Sequence, residues 1–229
     1  MKIHDCKQGT PEWLALRLGK VTASEIDALV SPLGKIRTGK GPETYLYEKL
    51  CERLLGYSPA NDANSFAMAQ GVILESEARP YYAFTYDVEV ATPGFITTDD
   101  DRCGCSPDGL IGDDCGLEIK CPQPARALEY LMTGEVPSEY VMQVQFSMYV
   151  TGRPWWVFMS YSRQFPPLVL RVERDEKIQA TLATAVEIFA EKFESAFSRV
   201  TALRSVLSPG DAARKAEHER QVAEWAAKR

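Results

Sequence analysis

Three residues form the most reactive pattern in the sequence: Asp108, then Glu118 and Lys120 within one short stretch. They lie in Ser106-Pro107-Asp108-Gly109-Leu110-Ile111-Gly112-Asp113-Asp114-Cys115-Gly116-Leu117-Glu118-Ile119-Lys120. Leu117 and Ile119 alternate with Glu118 and Lys120, which is the period of a strand. The carboxylate and the ammonium therefore share a face, about 6.5–7 Å apart at their Cα atoms. With a turn at Gly112 to Cys115, Asp108 falls opposite Glu118 across a hairpin, and a slip of one residue would turn it to the other face. Two carboxylates this close do not both ionise cheaply without a cation, and oxygen donors favour Mg²⁺ or Mn²⁺. Such an ion lowers the pKa of a bound water and offsets charge on a phosphate under in-line attack. A neighbouring ammonium orients that water or stabilises the charged transition state. That chemistry is phosphodiester hydrolysis. The same spacing also suits an exposed hairpin with a cross-strand ion pair, and spacing alone does not choose between them.

The elements that must position these residues follow from apolar periodicity and turn chemistry. Residues 11–18 and 22–30 read as short helices, and 34–41 as a flexible basic loop. Residues 43–55 and 64–84 have helical spacing, the second helix bent or ended near Arg79-Pro80. Short apolar pieces between 87 and 120, separated by Pro93-Gly94, Asp99 to Asp101 and Gly112 to Asp114, read as a strand meander. Helices return at 125–133 and 139–151, a hairpin at 155–161 and 168–173, and a long helix at 175–203. This order predicts an α/β fold, a mixed central sheet flanked by helices. The expected organisation is one domain over 1–207 and a helical tail over 208–229, split at Ser208-Pro209-Gly210.

Composition narrows the class. The chain has 229 residues, 45% of them hydrophobic, enough for a sizeable core. No apolar run is long enough to span a membrane and the first residues do not read as a signal peptide, so a cytoplasmic protein is expected. The six cysteines then read as reduced thiols, with no spacing that completes a zinc set. A net charge of −6 is not that of a strongly basic nucleic-acid binder. Acidic residues concentrate between Asp87 and Glu118, nine against the single basic Arg102. Five of the nine, Asp99 to Asp101 with Asp113 and Asp114, read as turn residues, as Asp favours; that reading does not explain Asp108 and Glu118.

Pro107-Asp108 followed by Glu118-Ile119-Lys120 matches the PD-(D/E)xK nuclease signature. The flanking text is more specific: Ser106-Pro107-Asp108-Gly109, Gly116 through Pro122, and Gln143 through Met148. With Trp13 through Gly19 and Thr22-Ala23-Ser24-Glu25, it resembles the phage lambda exonuclease family, in order from about residue 11 to Lys177. The resemblance implies a restriction-endonuclease-like core and a Mg²⁺-dependent exonuclease, with Mn²⁺ as substitute and one or two ions per site. It further implies 5′ to 3′ digestion of one strand from a double-stranded DNA end. A toroidal homotrimer and a phage single-strand annealing partner are implied as well.

Carried over residue by residue, the resemblance places Asp108, Glu118, the backbone carbonyl of Ile119 and Glu75 around the metal. Lys120 acts on the attacking water. Glu75 lies on an apolar helical stripe with Met68, Val72, Ala78 and Tyr82, where a glutamate needs a partner; Glu77 is the competing position. Thr22 to Glu25 reads first as a capping box, with Ser24 in the first turn, where free N–H groups favour phosphate. Arg17 supplies a bidentate fork, and the resemblance gives Arg17 and Ser24 the terminal 5′-phosphate. Gln143 matches an active-site glutamine, whereas Gln145, two residues on, points elsewhere. Arg126 matches a basic position near DNA, with a surface arginine as the plain alternative. Lys35, Arg37 and Lys40 are placed to follow a phosphate backbone. Trp13 is expected in the core.

Three rivals remain at this level. A sequence-reading endonuclease needs groove-reading elements. An exonuclease carrying an iron–sulfur cluster needs grouped cysteines after the core, and this chain has none after Cys121. A non-catalytic recombination scaffold does not need an intact Asp108, Glu118 and Lys120.

Overall fold

The computed structural model describes residues 1–59, 66–206 and 220, without the side chains of 66–72 and 204–206. The tail expected from residue 208, apart from Arg220, lies outside the described residues, as do the side chains of Met68 and Val72. The first half runs β1 (Lys2–His4), α1 (Pro11–Arg17), β2 (Val21–Thr22), a 3-10 turn over Ala23–Ala28, α2 (Lys40–Leu55) and α3 (Phe66–Tyr86). Then come β3 (Phe95–Thr97), β4 (Cys103–Cys105), β5 (Gly109–Ile111) and β6 (Cys115–Lys120). The chain closes with α4 (Pro124–Thr133), α5 (Ser138–Thr151), β7 (Trp155–Ser160), β8 (Leu168–Glu173) and α6 (Glu176–Val206).

The expected α/β fold with helices flanking mixed sheet is found, in two sheets in place of the single central sheet expected. Hydrogen bonding divides the strands into two four-stranded sheets, β1-β3-β4-β2 and β5-β6-β7-β8. In the second, β5 and β6 form the expected hairpin, with Gly109 opposite Leu117 and Ile111 opposite Cys115. β6 and β7 are parallel, because the α4–α5 crossover between them returns the chain to its starting end. Alternation along β6 assigns its faces. Leu117 and Ile119 are fully buried with Ala78 and Tyr82 of α3 and with Val157 and Met159 of β7. The opposite face of the sheet carries Trp156 and Phe158, packed in the larger core with Met142 and Phe146 of α5. Glu118 and Lys120 stand opposite Phe158 and Ser160 in register, so they face α5.

Two glycines of the motif are explained by packing. A Cβ on Gly116 would lie 2.2 Å from the Trp156 ring, and one on Gly109 would lie 2.3 Å from Val90. No larger residue fits at either position without moving the sheet.

α3 runs through Pro80 to Tyr86, so of the two outcomes expected near Arg79-Pro80, a bend or an end, the end is not found; Pro80 is exposed. One local expectation is corrected. The basic segment is a tight turn, not a flexible loop: Val30 bridges Ile36, and Ser31 N donates to Lys35 O at 2.8 Å. Lys40 already opens α2. Among the described residues no helix is long and apolar enough to cross a membrane, and all six cysteines are free thiols.

Candidate active site

The chain reaches the site by leaving a strand. Asp108 donates its N–H to Leu117 O at 3.1 Å, after which Pro107 and Ser106 lead away toward the other sheet. The edge of β6 is thereby open beside Ile119. Asp108 is 9% exposed and Glu118 3%. The Asp108 carboxylate fills the opening and accepts from Ile119 N at 2.6 Å. In a strand the N–H and C=O of one residue leave on the same edge, so the Ile119 carbonyl points to the same place. Lys120 O, one residue on, points the other way and accepts from Tyr161 N.

From the α5 side, Gln143 Nε2 donates to Glu118 Oε1 at 2.6 Å. Lys120 Nζ reaches the same oxygen at 2.6 Å and lies 4.9 Å from the centre of the Tyr140 ring. From the α3 side come Glu75 and Arg79, whose Nε donates to the main-chain oxygen of Asp108 at 2.6 Å. Burial, with Glu118 and Glu75 beside it, pushes the Asp108 carboxyl well above the ordinary carboxylate range, more than the Ile119 hydrogen bond and Lys120 offset. Burial likewise raises Glu75, against the pull of Lys120. Burial works to lower the Lys120 ammonium, but Glu118 outweighs it and holds its pKa above the usual lysine value.

Burial and mutual repulsion thus disfavour the charged form of both carboxyls. The donors are all oxygens: two buried carboxylates, a backbone carbonyl and Glu75 close enough to influence both. Their chemistry fits a hard divalent cation. Among the described residues no three His, Cys, Asp or Glu side chains already converge as a complete metal cage. Glu118 is held instead by Lys120 and Gln143. Glu77, the competing acidic position, is bound to Arg163 at the surface, with Arg163 Nε donating at 2.8 Å.

Other expected residues fall in different places. The guanidinium of Arg17 stands 4.4 Å from the Trp13 ring centre and reaches Ser24 Oγ at 3.2 Å and Thr22 Oγ1 at 3.4 Å. No carboxylate forms a salt bridge with it among the described residues. Burial lowers its pKa against the attraction of Glu25. The capping box does not form as expected. Residues 23–28 are a 3-10 turn with no side-chain cap, and Thr22 donates its hydroxyl to Glu25 at 2.6 Å. Trp13 is half-buried, not core; its Nε1 donates to Ser106 Oγ at 2.8 Å, two residues before Asp108.

Arg126 is engaged by Tyr130, Glu129 and Glu139 at 3.0 Å each, so here it is a surface ion-pair residue. Gln145 points away from the site into a buried network with Gln179, Glu173 and Asp175. Lys35, Arg37 and Lys40 are exposed. Sequence reasoning missed Arg79, Tyr140 and the Trp13–Ser106 contact. Gln143 and Tyr140 lie three apart on one helix, a spacing that signals a shared face.

The family model for the YqaJ-like viral recombinase domain matches residues 12–154, more than half the chain and all of the site. The chain belongs to the YqaJ-like viral recombinase family. Solved structures agree. The alkaline exonuclease LHK-Exo from Laribacter hongkongensis is 34% identical over 87% of this chain and 100% of its own, with a TM-score of 0.76. Its complex with dAMP aligns with a TM-score of 0.77 at 33% identity over the same shares. A phage related exonuclease from Haemophilus somnus 129PT, 15% identical over 79% of this chain and 96% of that one, shares the fold with a TM-score of 0.58. The uncharacterized protein ExoD of Escherichia coli (strain K12) is 34% identical over 68 residues, 28% of this chain and 78% of that one. The family and the nuclease fold expected from the motif therefore hold, and with them a metal-dependent exonuclease linked to recombination.

Proposed function

We propose that this protein is a Mg²⁺-dependent exonuclease that digests one strand of linear double-stranded DNA, 5′ to 3′, from a 5′-phosphorylated end. The observation that carries this reading is the opening beside β6. There two buried carboxylates and the Ile119 carbonyl converge, with Lys120 and Gln143 on one of them. Asp108, Glu118, Ile119 O and Glu75 would hold one or two Mg²⁺ ions, for which Mn²⁺ would substitute, and such an ion would supply a more acidic water and positive charge against the scissile phosphate. The Lys120 ammonium exchanges its contact with Glu118 for one to the attacking water or the phosphate oxygen, and Gln143 helps position the same water or phosphate. Arg17 and Ser24 grip the 5′-phosphate and set polarity: among the described residues the Arg17 guanidinium makes only long hydrogen bonds to hydroxyls, which leaves its fork available to a phosphate. The product is a 5′-mononucleotide, consistent with the dAMP held by the LHK-Exo crystal structure.

Lys35, Arg37 and Lys40 follow the DNA backbone. The net charge of −6 is compatible with DNA if cations line a central channel and acidic groups face outward. A toroidal homotrimer and an annealing-protein partner belong to the same reading, and sedimentation of the free protein tests the first. The deciding experiment incubates the protein with Mg²⁺ and linear duplex bearing or lacking a 5′-phosphate, and with closed circular DNA. The expected result is stepwise release of mononucleotides from the phosphorylated ends. Cutting of closed circles favours an endonuclease, and no digestion in any arm favours a scaffold.

A further inference from the structure

The main-chain oxygen of Asp108 has a partner that the strand ladder does not supply. Its N–H enters the sheet and its carboxylate is bound by Ile119 N, but its carbonyl accepts from Arg79 Nε at 2.6 Å. A buried carbonyl at the end of a strand must meet a donor, and a charged donor gives a shorter, stronger bond than an amide. Arg79 lies one helical turn after Glu75 on α3, where residues four apart share a face. One guanidinium thus ties the peptide of one carboxylate to the helix that carries another.

We propose that Arg79 is a positioning residue of the nuclease site. It fixes the rotation of the Asp108 peptide, and hence the aim of its carboxylate at the open edge of β6, before a divalent cation arrives. The inference rests on the reading of Asp108 as a cation ligand. Donors arranged in advance leave less ordering to be done when the ion binds, and groups behind a ligand commonly change metal affinity about 10–100-fold when removed. α3 has a second tie that makes a control. Glu77 on the same helix binds Arg163 near the end of β7 without touching Asp108.

The test measures Mn²⁺ binding to the DNA-free full-length protein by calorimetry. Wild type, Arg79→Ala, Arg79→Lys, Arg163→Ala and Asp108→Ala are compared, with thermal melts and steady-state kinetics on phosphorylated duplex. Arg79→Ala is expected to weaken Mn²⁺ binding at least tenfold and to lower kcat, with KM for DNA within about twofold. Arg79→Lys keeps the charge but loses the fork, so it is expected to fall between. Arg163→Ala is expected to keep wild-type Mn²⁺ affinity. Wild-type Mn²⁺ affinity in Arg79→Ala overturns the inference. So does an equal loss in Arg163→Ala, because Arg79 would then only support the helix. If Arg79→Ala does not fold, wild-type Mn²⁺ affinity and kcat in Arg79→Lys overturn it instead. A wild-type protein that binds no Mn²⁺, or binds it no better than Asp108→Ala, defeats the reading of the site and not the role of Arg79.

Discussion

The carboxylate site and the Arg17 cluster are built in contrasting ways. Asp108 and Glu118 are fixed by bonds of 2.6 Å to a strand amide, a glutamine and a lysine. They are enclosed by α3 on one side and α5 on the other. Arg17 and Ser24 are joined at 3.2 Å at the junction of a seven-residue helix and a 3-10 turn, with the guanidinium resting on Trp13. The first region has its groups aimed before any ligand arrives, as charge stabilisation in a transition state requires. The second has an arginine whose hydrogen bonds are weak enough to be exchanged for a phosphate. Damage to the first should therefore appear in kcat, and damage to the second in the choice of DNA end.

The break that leaves the carboxylates in place is Lys120→Ala, expected to lower kcat at least about 10²–10³-fold while DNA binding measured by anisotropy stays near wild type. Normal turnover would remove Lys120 from the mechanism. Arg17→Ala comes next. Losing a charged hydrogen-bond donor costs about 1.5–3 kcal/mol, or roughly 10–100-fold in kcat/KM on phosphorylated ends, with little change on unphosphorylated ends. An undiminished phosphate preference would sink the polarity argument.

Asp108→Asn separates chemistry from stability. It is expected to abolish Mg²⁺-dependent digestion, yet to stabilise the metal-free protein. The folded Asp108 pKa lies above its unfolded value, so the folded state holds the proton longer. Stability contributed by the protonated carboxyl is present below the unfolded pKa of about 4 and is lost as pH rises through the folded value. At neutral pH the asparagine avoids that loss, and a rise in Tm of about 2–4 °C is expected for each kcal/mol relieved at this chain length. A lower Tm in Mg²⁺-free buffer at pH 7 would contradict the burial argument. The smallest effect belongs to Arg126→Ala. Its charge is already taken up by surface carboxylates, pairs that contribute little, so digestion rates should stay within about twofold of wild type.

The motif strands were legible because a strand has a period of two and the turn residues at Gly112 to Asp114 left few registers. The same reasoning aligned Asp108 with Glu118. The partners of Arg126 were not legible for a physical reason: sequence shows a charge but not the charges that the fold sets beside it, here Glu129 and Glu139. The capping box at Thr22 to Glu25 failed similarly, since the Thr22 hydroxyl found a carboxylate in place of a backbone N–H. Trp13 has the composition of a core residue, but its ring supports Arg17 and its indole N–H binds Ser106. That Glu77 is taken up by Arg163 was not legible, because Arg163 is far away in the chain.

By itself the sequence determined the family, the order of elements and the face shared by Glu118 and Lys120. All of these depend on local periodicity or on matched text. Only the tertiary structure decided that Asp108 lies where β5 leaves β6, that Gln143 and Lys120 meet on one oxygen, and that Arg79 holds the Asp108 carbonyl. Those contacts join α3, α5 and two strands across sequence separations of 25 residues for Gln143 and 29 for Arg79. Packing of the helices on the sheet sets such distances, and no local pattern in the chain encodes them.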